Sequence, residues 1–435
     1  MLLASVFARQ AVASPNADVT LRVAPDRDLI YSRGPREVIV QIDLDGRRPD
    51  QIHRAPMNLS VVLDRSGSMQ GAKIEKAKQA ACVAVDQLAN DDYFSLVIFD
   101  NTTELLIPPD RVGSERNREA LKARIDRIRP GGGTAIYAGV TLGAQQLRRN
   151  LDKERVNRVV LLSDGLANVG PSRTSDLANL GRDLRREGMS VTTIGLGDDY
   201  NEDLMTALAE ASNANYYYVR DAEKLPGIFA EELGSARSVV ARGVTIRITA
   251  PDGVRLKEII GRPEIDCTGR SVEIKLPEYF GGDKRRFLAR CVAEKSTSEP
   301  LEVAMVDLSY EPTAGGKAEP QQQAAKIKFT DEERKSDESL RVEISREVAV
   351  AKNRLAKELA VKLADEGRSK DAADVLRRQA ASNAAAPAPM QLPGVAEENR
   401  KLEAAASEVE SKGQLEKSSR KQIQYENWQD KYQKR

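Results

Sequence analysis

Hydrophobic residues in the middle of the chain follow two different spacings. Short, almost entirely apolar runs predict strands, and they occupy residues 59–63, 93–99, 159–162, 191–196 and 216–219. Between these runs, apolar residues recur every three or four positions, which is the spacing of one helix face. The helical stretches occupy residues 74–88, 121–128, 136–147, 177–184, 204–211 and 225–233. Strands without polar alternation belong in a parallel sheet covered on both faces, so this region predicts a doubly wound, mostly parallel α/β fold.

The segments on both sides of this region show a different spacing of apolar and turn residues. Strand-like segments separated by turn residues occupy residues 19–23, 29–31 and 38–42 before it, and 239–249, 255–260, 271–276, 286–293 and 301–310 after it. Regularly spaced strands with turns between them are typical of an antiparallel β-sandwich. The sequence therefore predicts that the α/β domain is inserted into a sandwich, between Ile42 and Val239.

The rest of the chain has helical spacing. Apolar residues between 340 and 363 recur at helical intervals, and residues 371–379 continue as a short antiparallel partner. This hairpin slightly resembles one tetratricopeptide unit, although such repeats need neighbours. A Pro/Ala linker and a charged tail follow, and the tail carries Tyr425, Trp428 and Tyr432. The tail is either a solvated, partly disordered end or a docking peptide, and the first interpretation is favoured.

These patterns predict seven parts along a chain of 435 residues, a length for which more than one domain is expected. Residues 1–16 are a possible truncated signal segment, 17–52 the first part of the sandwich, 53–236 the α/β domain, 237–312 the second part of the sandwich, 313–383 a linker and helical hairpin, 384–394 the Pro/Ala linker, and 395–435 a charged helical or disordered tail.

Charge and composition narrow the class of partner and the location. Lys and Arg total 67 against 66 Asp and Glu, so the overall charge predicts neither nucleic acid nor an acidic surface as partner. No stretch approaches the roughly 18 consecutive apolar residues of a membrane span. Residues 2–8 are largely apolar, and residues 11–13 fit a small-residue cleavage site, although the usual basic start is missing. The stretch is either a signal whose true start lies upstream or only a disordered leader, and the first interpretation is favoured. We therefore expect a periplasmic or secreted protein with possible envelope association.

Oxygen-bearing side chains stand where two of the predicted strands end. Asp64, Ser66 and Ser68 follow the first strand at alternate positions, and Asp164 follows a later strand. Thr134 comes directly after three glycines in a loop. Hard cations such as Mg²⁺ prefer carboxylate and hydroxyl oxygens, and ligands bind at the carboxyl ends of strands in open parallel sheets. The sequence therefore predicts a divalent metal site at this edge of the sheet.

Each of these segments also has a purely structural interpretation. Ser66 or Ser68 could be only a helix N-cap, Asp164 and the glycine after it only a turn, and the three glycines only a flexible loop. Their joint order at strand ends favours the metal site. The pattern Asp-x-Ser-x-Ser, a distant Thr and a distant Asp resembles the metal-ion-dependent adhesion site of the von Willebrand factor type A domain, and the resemblance covers about residues 58–233.

This resemblance implies a function. In that family Asp64, Ser66, Ser68 and Thr134 would hold an ion directly or through water, and Asp164 would often act through water. The ion would be Mg²⁺, or Mn²⁺ or Ca²⁺, and one coordination position would stay open for an Asp or Glu of a partner protein. The chain would then be a metal-dependent protein-binding module, similar to bacterial secreted or envelope proteins with this domain. Residues 69–72 carry no carboxylate, which predicts a single ion.

Two other classes of function are open. A Mg²⁺-dependent phosphoryl-transfer enzyme would use Asp64 as the nucleophile, but phosphatases of the haloacid dehalogenase type need a second Asp where Ser66 stands. The only histidine, His53, lies outside the candidate site, and no phosphate loop with its lysine is present. We therefore predict no enzymatic activity. In the other class, a purely structural envelope protein, the metal would only rigidify the loop.

The three cysteines leave the redox state open. Cys82 falls on the apolar side of a helix, which predicts a buried thiol. Cys267 and Cys291 both fall in the sandwich. An extracytoplasmic location would permit a disulfide between them, and the alternative is two buried thiols.

Overall fold

The structure is a computed structural model that describes residues 17–48, 55–236, 238–313, 318, 320–386, 391 and 393–432. The predicted signal segment, His53 and part of the Pro/Ala linker lie outside the described residues. The chain divides into two compact units. Of the described residues, those within 49–239 and 417–428 form one unit, and the remaining ones form the other.

Fifteen strands are present in the part of the chain that the structure describes. They are β1 Val19–Pro25, β2 Leu29–Tyr31, β3 Glu37–Gly46, β4 Met57–Asp64, β5 Tyr93–Phe99, β6 Thr103–Arg111, β7 Val156–Ser163, β8 Ser190–Leu196, β9 Tyr216–Val219, β10 Val239–Thr249, β11 Val254–Ile259, β12 Ser271–Phe280, β13 Lys284–Ala293, β14 Leu301–Pro312 and β15 Gln321–Thr330.

Eleven α-helices accompany them in the same described ranges. They are α1 Ala72–Gln87, α2 Glu115–Ile125, α3 Ile136–Arg148, α4 Thr174–Arg186, α5 Glu202–Ala211, α6 Leu225–Ala236, α7 Glu333–Glu338, α8 Val342–Asp365, α9 Ser369–Ala385, α10 Val395–Lys412 and α11 Lys417–Tyr432. Of the helices described, none combines the length and the apolarity needed to cross a membrane.

A six-stranded sheet forms the centre of the first unit. Its strand order is β6-β5-β4-β7-β8-β9, and all neighbours are parallel except the pair β5 and β6. Every residue of β4 and of β7 is buried, which matches strands covered on both faces. Helix α3 packs against β4, β5 and β7, whereas α1 packs against α6 and α4 against α5. The predicted doubly wound α/β fold is confirmed.

Two further sheets form the second unit. One has the order β1-β3-β13-β11, and the other has the order β12-β10-β14-β15-β2. Inward-facing side chains of both sheets share one core, to which Leu21 and Ile42 contribute from one sheet and Ile246 and Val306 from the other. The chain leaves this unit after β3 and returns at β10, as an inserted α/β domain requires. The antiparallel part of the predicted fold is confirmed, with one parallel pair, β15 and β2.

All three cysteines are free thiols in this structure. Cys291 is buried in the core of the sandwich, and burial raises the pKa of its thiol to about 12. Burial also raises the pKa of Cys267, which packs against the same core. Of the two sequence-based alternatives, the structure has the pair of thiols, both of which are poorly reactive because the thiolate is disfavoured.

The end of the chain is ordered within the first unit. Lys421 Nζ donates a hydrogen bond to Glu202 Oε2 at 2.7 Å, and Arg420 Nη2 donates one to Asp203 Oδ2 at 2.6 Å. Trp428 is only 4% exposed and lies edge-on to Tyr216, with ring centroids 6.5 Å apart. The favoured interpretation of a solvated end was therefore wrong for residues 417–428, which dock as a helix.

Candidate metal centre

Asp64 is the last residue of β4, an interior strand that has a neighbour on each edge. Strand β5 pairs with one edge of β4 and β7 with the other, both in parallel. The helical connections after β4 and β7 therefore diverge at this point, which leaves a crevice at the carboxyl edge of the sheet. Asp64 and Asp164, which directly follows β7, are brought to this crevice from adjacent strands, and both are fully buried.

The Asp64 carboxylate is desolvated and held by hydrogen bonds alone. Its Oδ1 accepts a hydrogen bond from the Ser66 backbone N–H at 2.7 Å, and its Oδ2 accepts one from Ser163 Oγ at 2.5 Å. Burial raises the pKa of Asp64 to about 6 although these hydrogen bonds oppose the rise, and the nearby Asp164 adds to it. Within the described residues no basic side chain pairs with Asp64, so its negative charge lacks a protein counter-ion.

The two serines act differently from helix caps. Ser66 precedes a single turn of 3₁₀ helix, Gly67–Met69, and its side chain makes no capping hydrogen bond. Its Oγ instead lies 3.0 Å from Ser68 Oγ, and Ser68 Oγ donates to Asp164 Oδ1 at 2.7 Å. The capping interpretation is therefore not supported, because both hydroxyls face the crevice between the two strand ends.

Thr134 reaches the same place from the glycine loop. Thr134 is only 3% exposed, and its backbone N–H donates to Asn168 Oδ1 at 2.8 Å. A β-carbon at Gly165 would lie 2.8 Å from Thr134 Oγ1 and 3.6 Å from Ser68 Oγ. The absence of a side chain at Gly165 therefore leaves room for both hydroxyls beside the Asp164 backbone.

The glycine loop is packed and hydrogen-bonded. Gly131 N–H donates to Arg65 O at 2.5 Å, and Gly132 O accepts from the Gly67 N–H at 2.9 Å. A β-carbon at Gly131 would collide with the Asp100 carboxylate. The interpretation as a merely flexible loop is therefore not supported, because these glycines allow the loop to pack against neighbouring polar side chains.

Three polar residues at this edge were missed by the sequence reasoning. Asn101 Oδ1 accepts a hydrogen bond from the Gly133 N–H at 2.8 Å, Asn168 holds Thr134, and Lys73 Nζ lies 2.5 Å from Asp164 Oδ2. For Asn101 a signal was available, because it follows the carboxyl end of β5 just as Asp64 ends β4. For Lys73 the signal was its place in the first turn of a helix, where a cation is disfavoured by the helix dipole.

The assembled donor set suits a hard divalent cation. The five predicted site residues are brought together by the contacts just described, and they supply two carboxylates and three hydroxyls. Within the described part of the chain, no cluster of three or more His, Cys, Asp or Glu side chains could hold a metal, so hydroxyl groups are essential to this set. Mg²⁺, Mn²⁺ and Ca²⁺ accept such oxygen ligands, and the uncompensated charge of Asp64 is what a cation would neutralise. The residues present therefore fit the ion.

Fold and site together define an α/β domain with an oxygen-rich crevice at the switch point of its sheet. The sequence profile of the von Willebrand factor type A domain matches residues 58–231, so the chain contains such a domain. Two solved structures share the fold over most of their length. A von Willebrand factor type A protein from Catenulispora acidiphila has a TM-score of 0.67 at 17% identity and covers 89% of this chain and 96% of its own.

The second structure is the ArnB paralog VWA2 from Sulfolobus acidocaldarius. Its TM-score is 0.60 at 18% identity, and the match covers 95% of this chain and 99% of that one. At such low identity the two likenesses establish the fold. Both extend well beyond the type A domain, so the additional sheets and helices belong to an architecture that these proteins share.

Sequence relatives match a smaller part of this chain than the two solved structures do. The protein sll0103 of Synechocystis is 33% identical over 183 residues, YfbK of Escherichia coli 24% over 215, and human inter-alpha-trypsin inhibitor heavy chain H2 28% over 174. These matches cover 42%, 49% and 39% of this chain, and 42%, 37% and 18% of the relatives' lengths. The chain thus spans less than half of each relative. Domains of this type commonly act as metal-dependent protein-interaction modules.

Proposed function

We propose that this protein binds a partner protein through a divalent cation at the type A domain. Asp64 and the hydroxyls of Ser66, Ser68 and Thr134 would hold the ion, with Asp164 acting through water. The partner would supply an Asp or Glu side chain. The observation that carries this proposal is the buried Asp64 carboxylate, which has hydrogen-bond donors but, among the residues that the structure describes, no counter-ion.

The charge of the site supports an acidic partner. Both oxygens of Asp164 already accept hydrogen bonds from protein groups, Ser68 Oγ and Lys73 Nζ. If Asp164 remains so engaged, Asp64 is, of the two described site carboxylates, the one available to touch the ion directly. A bound divalent cation would then be the largest local charge and would attract a further carboxylate. Mg²⁺ is the ion we favour, with Mn²⁺ or Ca²⁺ as alternatives.

We also propose that the site is not catalytic. Phosphoryl transfer from Asp64 would need a general acid close by, and Ser66, at the position where aspartyl phosphatases carry their second Asp, has no acidic proton to give at neutral pH. A metal that merely rigidifies the loop is the competing function. The glycine loop, however, is already braced by hydrogen bonds to Arg65 and Asn101, so it needs no ion for that purpose.

The location remains a proposal of its own. A periplasmic or secreted protein with envelope association would meet divalent cations and protein partners on the same side of a membrane. The free thiols of Cys267 and Cys291 neither require nor oppose this location.

The test is affinity purification of the full chain from envelope extracts, with Mg²⁺ or with chelator. A partner should be recovered with wild-type protein in Mg²⁺ and should be lost both with chelator and with Asp64→Asn. Asp183→Asn is the matched control, because among the described residues this exposed carboxylate pairs with Arg186 on its own helix, away from the site. A partner that resists chelator and is retained by Asp64→Asn contradicts adhesion through this site. Phosphatase activity that Asp64→Asn abolishes would favour the enzyme instead.

A further inference from the structure

Lys73 places a positive charge inside the candidate metal centre. It lies in the first turn of α1, where the helix dipole disfavours a cation. Its ammonium is 2.5 Å from Asp164 Oδ2, and its side chain is 33% exposed while Asp164 is fully buried. The unfavourable position on the helix is thus offset by a close ion pair with a buried carboxylate, which indicates that the pair is specific to the site.

This ion pair determines whether the carboxylate oxygens of Asp164 are available to bind a metal ion directly. Oδ1 accepts from Ser68 Oγ at 2.7 Å, and Oδ2 is taken by the Lys73 ammonium. A divalent ion that bound Oδ2 directly would have to displace a protein cation. As long as Lys73 stays in place, Asp164 is kept off the ion and orients the Ser68 hydroxyl instead.

Lys73 also sets the net charge of the loaded site. The two buried carboxylates carry two negative charges, and the ammonium cancels one of them. A divalent ion therefore turns the site from one net negative charge to one net positive charge. Without Lys73 the loaded site would be neutral. Its attraction for an incoming carboxylate would then be much weaker, because charges a few ångströms apart interact strongly where bulk water does not screen them.

We infer that Lys73 is the residue that makes the loaded site select an acidic partner, and that it does so at the expense of metal affinity. The inference rests on the proposed function and deepens it. Lys73 is a positioning residue: it acts through Asp164 and through the charge of the site, and it supplies no ligand to the ion. This role accounts for a cation in the first turn of α1, two residues after the capping glycine, whose side chain faces a buried aspartate.

The surroundings let the ammonium move without losing all its partners. A β-carbon at Gly197 would lie 3.6 Å from Lys73 Nζ, so the turn after β8 is within reach. Asp199 lies just beyond that turn, and its pKa is lowered by Lys417 and, to a smaller extent, by Lys73. A lysine side chain pushed aside by an ion would therefore still be near a carboxylate.

The experiment titrates Mn²⁺ alone into the full chain by calorimetry, for wild type, Lys73→Met, Lys73→Arg and Lys76→Met. Lys73→Met should bind Mn²⁺ at least about tenfold more tightly than wild type, because the repulsion of a nearby like charge is removed. Lys73→Arg keeps the charge and should retain the wild-type affinity. Lys76→Met is the matched control on the same helix, since Lys76 pairs with Glu223 outside the site.

A second measurement reads the charge of the loaded site. Acetate is titrated into the Mn²⁺-saturated proteins, and displacement of metal-bound water is followed by proton relaxation. Acetate should bind the wild type and Lys73→Arg more tightly than Lys73→Met. Thermal unfolding verifies that each variant folds, and Lys73→Gln replaces Lys73→Met if the latter does not.

The outcomes separate the inference from the proposed function. Equal or weaker Mn²⁺ affinity in Lys73→Met, with clear binding in wild type, overturns the inference and leaves metal-dependent adhesion intact. Binding that appears only in Lys73→Met supports the competition by Lys73 and contradicts adhesion by the wild-type site. Absence of binding in every protein overturns both.

Discussion

Ser68 Oγ donates a hydrogen bond to Asp164 Oδ1 at 2.7 Å, across 96 positions of the chain. This single contact joins the loop after β4 to the loop after β7. It exists because the two strands are parallel neighbours, so their carboxyl ends meet at one edge of the sheet. The adhesion-type pattern in the sequence is thus a set of side chains that share one crevice.

Gly165 should be essential to this crevice, although it supplies no ligand. In Gly165→Ala the new β-carbon would lie 2.8 Å from Thr134 Oγ1, so the hydroxyl must shift away. We expect Mn²⁺ affinity to fall at least about tenfold with little change in thermal stability, since a misplaced ligand loses most of its interaction. Calorimetry measures the affinity. Gly227→Ala, where nothing lies within 4 Å, is the control that should bind as wild type; equal affinity in both variants would disprove the crowding argument.

One ion per chain is the expected stoichiometry. The four residues after Ser68 are Met69, Gln70, Gly71 and Ala72, none of which can supply a carboxylate for an adjacent site. Native mass spectrometry of the full chain at saturating Mn²⁺ should show one bound ion, and Asp64→Asn should remove it. Two specifically bound ions, both sensitive to chelator, would require a site that we have not recognised.

Most of the α/β sheet could be predicted because its strands carry their own signal. Strands β4 and β7 are apolar runs whose every residue is buried. Strand β6, by contrast, contains Pro108 and Pro109 and exposes much of its length, and β15 begins with three glutamines. Both lack the apolar alternation on which the prediction relied, and they become strands by pairing with β5 and β14.

That the candidate site residues lie together could be predicted for a similar reason, and their role as metal ligands stays a prediction. Asp64, Ser66 and Ser68 are close in sequence, so their common direction follows from the strand that ends at Asp64. Asn168 reaches the site through a tertiary contact that no local pattern encodes, and the place of Lys73 in the first turn of a helix does not reveal that its partner is Asp164. The packing of Trp428 against Tyr216 is also a tertiary contact, and the local sequence of a charged helix does not reveal where on a folded surface it packs.

The docked end of the chain can be followed through Trp428, the single tryptophan. It is 4% exposed and its ring stacks parallel to that of Tyr425 at 6.5 Å. Arg420→Met removes hydrogen bonds to Glu202 and Asp203, so we expect red-shifted emission or earlier unfolding of this helix. Arg400→Met, which removes a contact to Glu397 within α10, should leave the emission unchanged. Identical spectra for both variants would argue against docking in solution.

Acid should release the same helix. Burial alone would raise the pKa of Glu202, but the hydrogen bond from Lys421 and the charge of Arg420 outweigh it, so the pKa is lowered. A lowered pKa means that the stabilisation is present above the ordinary glutamate pKa of about 4.3 and is lost as pH falls through the lowered value. Trp428 emission should therefore stay constant from pH 7 to about pH 5 and shift to the red only below the ordinary pKa. A shift that is complete by pH 5 would contradict this assignment. Glu202→Gln should weaken the acid dependence, because the pairs of Lys417 with Asp199 and of Arg420 with Asp203 remain.

The central claim is that Asp64 anchors a divalent ion, and calorimetric titration of Mg²⁺ into wild type and Asp64→Asn tests it most directly. Asparagine keeps the size of the side chain and can still accept from the Ser66 N–H, but it removes the buried charge. Thermal stability without metal should be unchanged or higher, because an uncompensated buried charge is costly. Wild type should bind one Mg²⁺ and Asp64→Asn none. Equal Mg²⁺ binding by the two folded proteins would contradict the account.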